Sequence, residues 1–193
     1  MDDETRSRMV RRAVHVGLVF SLVYYLMPVD LPVLGLRRWV LLIGFIAVIL
    51  GFEVYRLRKN MVFLGLRPHE KNQIASFAYA ATGLVMVMWL FPHEIAAVSV
   101  IGLALIDPLL GELRRLRIPT VVKVLLPMGG YWLIALSVLH FAGGREIWEE
   151  LTMGAAAMLV AIPSEWFKIE YVDDDFLMLL TPAVTMAWLS LIL

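Results

Sequence analysis

The chain has 193 residues, of which 61% are hydrophobic and only 18% charged, with a mean hydropathy of +0.80 and a formal net charge of +0. A soluble domain is nearer about 45–50% apolar, so the composition predicts a single-domain polytopic membrane protein rather than a soluble enzyme, and no nucleic-acid partner is expected. The absence of cysteine excludes disulfides, a zinc–thiolate centre and a nucleophilic thiol.

Seven apolar segments are predicted in chain order, at 13–28, 38–55, 74–91, 94–110, 120–142, 147–164 and 176–193. Each is close to the roughly 20 residues a spanning helix needs, and together they predict an all-α bundle of about seven transmembrane helices over residues 1–193. No cleavable signal peptide is expected, because the N-terminal charges are mixed in sign and no small-residue cleavage site follows the first apolar run. Interior Gly and Pro, among them Gly102, Pro127, Pro163 and Pro182, suit helices that pack closely or break locally. Tyr24, Tyr25, Trp89, Trp132, Trp148, Trp166 and Trp188 read as an interfacial aromatic belt.

Lys and Arg fall unevenly between these segments. Fourteen would lie on one side, in the N-terminal segment and the 2–3, 4–5 and 6–7 connections, against three (Arg37, Arg38, Arg145) on the other. The positive-inside rule then predicts a cytoplasmic amino terminus and an external carboxyl terminus. The same alternation gathers His15, Glu53, Arg56, the Asp107–Arg117 stretch, Glu165, Lys168, Glu170 and Asp173–Asp175 on the cytoplasmic face.

The fourth segment ends at Asp107-Pro108, followed at once by Gly111, Glu112, Arg114, Arg115 and Arg117. A carboxylate in a membrane helix is costly and marks a functional candidate. Pro108 removes a backbone donor and disfavours helical angles at Asp107, so the helix is expected to loosen there. Freed carbonyls and a carboxylate are hard oxygen ligands of the kind Mg²⁺ accepts, and the arginines beyond would neutralise phosphate.

Asp173-Asp174-Asp175 is the second acidic feature. One or two of these residues would suit the start of a helix, but three adjacent carboxylates repel unless a cation offsets them. Ser164-Glu165, after Pro163, would add a further carboxylate. His15 lies just inside Arg11-Arg12 and is a candidate general base toward a lipid hydroxyl, or a hydrogen-bond donor to a phosphate oxygen; the arginines read as positive-inside anchors. Glu53 and Arg56, at i and i+3, fit a structural ion pair as well as a site. Asn72 and Gln73 are expected to cap the third helix. No Walker motif, Gly-x-Ser-x-Gly or His-Glu-x-x-His is present, and the seventh helix lacks the lysine of a retinal protein.

Arg11-Arg12-x-x-His15, Glu53-x-x-Arg56, Asn72-x-x-Ala75, Asp107-Pro108-x-x-Gly111-Glu112-x-Arg114-Arg115 and Asp173-Asp174-Asp175 before Pro182 together resemble the CTP-dependent lipid-alcohol kinases. That family includes dolichol kinase, phytol kinase and the CTP-dependent diacylglycerol kinase, and the chain is most similar to its short archaeal dolichol kinases. The chain departs from the family at Asp175, where Asn is common, and at Leu116-Arg117-Ile118-Pro119-Thr120, where many members carry Lys-Ser-x-Glu-Gly. The resemblance implies transfer of the γ-phosphoryl of CTP to a long-chain isoprenoid alcohol, with Mg²⁺, at the cytoplasmic face. It implies Asp107, Asp173 and Asp174 as metal ligands with Glu165 and Asp175 beside them, Arg56, Glu112, Arg114 and Arg115 at the nucleotide, and His15 as base. Two alternatives stay open: a cytidylyltransferase that makes a CDP-lipid from a lipid phosphate, and a non-catalytic membrane scaffold or small transporter.

Overall fold

The computed structural model describes residues 3–31, 35–63, 65–66, 68–166 and 172–193. Arg67, Lys168 and Glu170 lie outside the described residues. The described chain is all-α apart from one two-residue strand pair. Helix α1 (Asp3–Gly17) runs on as a 3-10 helix over Leu18–Leu26. Strands β1 (Asp30–Leu31) and β2 (Leu36–Arg37) pair antiparallel, with Asp30 opposite Arg37, and lead into α2 (Trp39–Lys59). A 3-10 turn at Pro68–Asn72 precedes α3 (Ser76–Leu90). There follow α4 (His93–Leu113), α5 (Thr120–Ala142), α6 (Ile147–Ser164) and α7 (Asp174–Leu189).

Each predicted apolar segment forms a helix, but the helices do not end where the apolar residues do. Helix α1 begins at Asp3 rather than at residue 13, and α2 and α4 carry their charged ends on to Lys59 and Leu113. Long charged side chains keep their heads in water while the backbone stays helical. By length and composition four stretches can cross a membrane: Thr5–Leu26, α2, α4 and α5. Of the expected seven, α3 and α7 are shorter, at 15 and 16 residues, and α6 carries Glu149 and Glu150 in its first turn.

The expected break at Asp107-Pro108 does not occur. Helix α4 continues through Pro108 to Leu113, and the Arg114 N–H still bonds the Leu110 carbonyl at 3.1 Å. Pro108 removes one helical bond, but Ile106 and Leu110 beside it are buried in the core and hold the helix in line. Asp107 is therefore presented from a helix rather than from an unwound turn.

Helices α4 and α7 form the middle of the bundle. Helix α4 packs on α1, α5 and α7, and α7 packs on α3, α4 and α6. Close approach depends on glycine where α4 meets α5: a Cβ at Gly102 would collide with the ring edge of the fully buried Tyr131. Gly102→Ala is therefore expected to overpack this contact and cost about 1–3 kcal/mol, read as a lower thermal midpoint of the purified protein in detergent.

Candidate functional site at one end of the bundle

The end of α4, the start of α7, the base of α1 and the residue after α6 converge on a polar cavity of about 320 Å³. Arg8, Arg11 and Arg12 from α1 and Arg114 and Arg115 after α4 form its basic wall, and Asp107, Glu165 and Asp174 its acidic one. Arg12 pairs with Glu112 at the rim, and Arg114 with Glu165. The side chains of Arg11 and Arg115 make no hydrogen bond or ion pair among the described residues.

His15 is buried where three helices meet. Its Nδ1 lies 2.9 Å from the Arg11 carbonyl, which can only accept, so Nδ1 carries the hydrogen and Nε2 is the nitrogen offered to the site. Nε2 is 3.1 Å from Asp175 Oδ1 and 3.6 Å from Asp107 Oδ2. Nε2 thus faces two carboxylates at the junction of α1, α4 and α7.

The acidic residues of α7 divide by position. Asp173 is the N-cap: its Oδ1 accepts the Asp175 N–H at 3.1 Å, satisfying a donor that a helix start leaves open. Asp174 walls the polar cavity, and Asp175 turns inward to His15, 2% exposed. His15, Asp107 and Asp175 offer ligand atoms within 4.8 Å of one another, as do Asp173, Asp174 and Asp175. Adjacent hard oxygen donors beside unpaired guanidiniums fit a Mg²⁺–phosphate complex, which takes one or two carboxylates and completes its shell with phosphate and water.

Glu165 is buried against Arg114. Burial pushes its carboxyl up to about 7; Arg114 pulls it down, while Asp107 and Asp174 push it further up. The folded protein thus holds a proton that the unfolded chain releases near 4.5, and raising the pH through that window removes stability. The thermal midpoint is expected to fall between pH 5 and about pH 7.5, and Glu165→Gln to flatten that slope, as measured by unfolding across pH.

Arg56 is not at this cavity, which corrects its assignment to the nucleotide. It is fully buried, donating from Nε and Nη2 to Glu53 at 2.7 Å each, from Nη1 to the Glu70 carbonyl at 3.1 Å and from Nη2 to the Gln73 carbonyl at 2.6 Å. The carboxylates it organises cap α3 in place of Asn72: Glu53 accepts the Ala75 N–H at 2.8 Å, and Glu70 accepts the Ser76 N–H at 3.2 Å and its hydroxyl. Four of the five guanidinium N–H donors are thus engaged by the protein, and full burial keeps the group away from the charged cavity. Arg56→Met strands a buried carboxylate and is expected to cost about 3–5 kcal/mol; a variant of unchanged thermal midpoint but impaired ligand binding would instead make Arg56 a ligand contact.

Around the cavity stand His15, Asp107, Asp174, Glu165, Arg114 and Arg115; Asp175 lies behind His15 at a second, apolar cavity, Glu112 stands at the rim, Asp173 caps a helix and Arg56 is elsewhere. Sequence reasoning missed Arg8, Arg11 and Arg12 as cavity walls. The signal was present: positions 8, 11, 12 and 15 share one face of a helix. At the opposite end the ionisable groups pair among themselves, Arg145 with Glu94 at 2.9 Å and His140 with Glu150 at 3.2 Å.

No protein-family model, curated protein or solved structure matches the chain.

Proposed function

We propose that the protein is a membrane-embedded phosphotransferase that moves the γ-phosphoryl of CTP to a long-chain isoprenoid alcohol at the cytoplasmic face. One observation carries this reading. His15 and Arg11 wall both the charged cavity and a second, apolar cavity of about 360 Å³. The adjacent residues Asp174 and Asp175 divide between the two, Asp174 at the charged cavity and Asp175 at the apolar one. A group that joins a phosphate-sized basic pocket to a hydrocarbon-lined one suits transfer from a water-soluble donor to a lipid acceptor.

In this reading Arg8, Arg11, Arg12, Arg114 and Arg115 bind the triphosphate, since phosphoryl transfer is mostly positioning and neutralisation of charge. Asp107 and Asp174, which line the charged cavity, would hold Mg²⁺, with Glu165 close by; the ion supplies charge neutralisation on the phosphate oxygens when bound. The alcohol hydroxyl lies at His15–Asp175, which orients it and takes its proton as its oxygen bonds to the γ-phosphorus and CDP leaves. The choice of CTP rests on the motif resemblance. The bundle would cross the membrane seven times with its amino terminus in the cytoplasm, which puts fourteen of the seventeen Lys and Arg on the nucleotide side.

Purified protein with γ-labelled CTP, Mg²⁺ and polyprenol is expected to yield labelled polyprenyl phosphate and CDP. Asp107→Asn is expected to lower turnover by about 100-fold or more. Release of pyrophosphate with a CDP-lipid would replace the kinase by a cytidylyltransferase. No labelled lipid from any of several alcohols would overturn the kinase, and no pyrophosphate or CDP-lipid from polyprenyl phosphate would overturn the cytidylyltransferase.

A further inference from the structure

The apolar cavity beside His15 is a slot between helices, open on its outer side. Its walls come from α1, α2 and α3, yet α1 rests on α4 and α2 on α3, and α1 and α2 make no more than glancing contact. Val14 on α1 and Phe45 on α2 stand at its lips, 54% and 43% exposed, so in a bilayer they face hydrocarbon. Ala80 and Ala81 on α3 form its floor, where larger side chains would fill the space. Phe52, Phe63 and Phe77 close one wall as a mutual cluster, with ring centroids 5.9–6.1 Å apart.

The polar end of the slot selects among lipids. It carries two buried carboxylates, Asp175 at 2% and Glu70 at 4% exposure, with His15 and Ser76 beside them. Glu70 already accepts two bonds from Ser76, and Asp175 faces His15. A small uncharged hydroxyl finds carboxylate acceptors there, whereas a phosphate monoester brings its negative charge against two desolvated carboxylates, with the Arg11 guanidinium also at the slot wall. The volume, about 360 Å³, is at the small end of ligand pockets and suits the first part of one chain rather than the two chains of a phospholipid.

From this geometry we infer that the α1–α2 slot is a lateral doorway through which a single-chain neutral alcohol reaches His15–Asp175 directly from the bilayer, the head of its tail lying over Ala80 and Ala81 and the remainder staying in lipid. The inference rests on the lipid-alcohol reading of the site and deepens it: the slot discriminates by headgroup charge and chain number, and reads only the part of the tail nearest the hydroxyl.

The test needs no turnover. The intact protein in nanodiscs is titrated with farnesol and, separately, with farnesyl phosphate, following the thermal midpoint, because a ligand that binds only the folded state raises it. Farnesol is expected to raise the midpoint of the unmodified protein by several degrees, and farnesyl phosphate to do so far less. Ala80→Phe fills the floor, and Val14→Trp narrows the exposed lip without touching the core. Each is expected to weaken the farnesol response by about tenfold or more while the response to CTP with Mg²⁺ persists. Val14→Trp serves on its own if Ala80→Phe does not fold. An equal response of variants and parent to farnesol, or an equal or stronger response of the parent to farnesyl phosphate, overturns the doorway. An intact farnesol response with no phosphorylated product overturns the kinase and leaves the doorway standing.

Discussion

A carboxylate that is 2% exposed in the first turn of α7 is tolerable only with partners, and His15 Nε2 stands 3.1 Å from Asp175 Oδ1. That pair joins the base of α1 to the start of α7, and Asp107 joins both to the end of α4. Three helices distant in sequence are thereby held to one point. Much else at that end follows from it: the arginines of α1 are turned toward those after α4, and Asp174, one residue from Asp175, is left facing the basic cavity.

The same junction separates two environments. On one side the walls are guanidinium and carboxylate; on the other they are Phe, Val, Ile and Ala. His15, with Nδ1 held by a backbone carbonyl and Nε2 facing the carboxylates, is the side chain that stands between the two cavities.

A second buried network does a different job nearby. Arg56, Glu53 and Glu70 bind the chain between α2 and α3 to the end of α2 and cap α3 with carboxylates. This sets the spacing of α2 and α3, and so the width of the slot whose other wall is α1. The ion pair at Glu53 and Arg56 thus serves the junction of α2 and α3, away from the charged cavity.

What the sequence by itself determined is considerable. Apolar run lengths separated by charge identify the seven helices, and alternation along the chain gathers Asp107, Glu165 and Asp173–Asp175 at one end, because consecutive antiparallel helices return there. Spacing also marks Arg8, Arg11, Arg12 and His15 as one helical face. Tertiary structure alone decided the rest. Which of three consecutive aspartates caps the helix, which faces the cavity and which is buried depends on how α7 packs against α3, α4 and α6. Whether Pro108 breaks α4 depends on the core that grips Ile106 and Leu110. Whether Arg56 meets a ligand or its own backbone depends on where the 60–75 connection folds back. Sequence periodicity gives each helix its faces; only packing against the neighbours decides what each face meets.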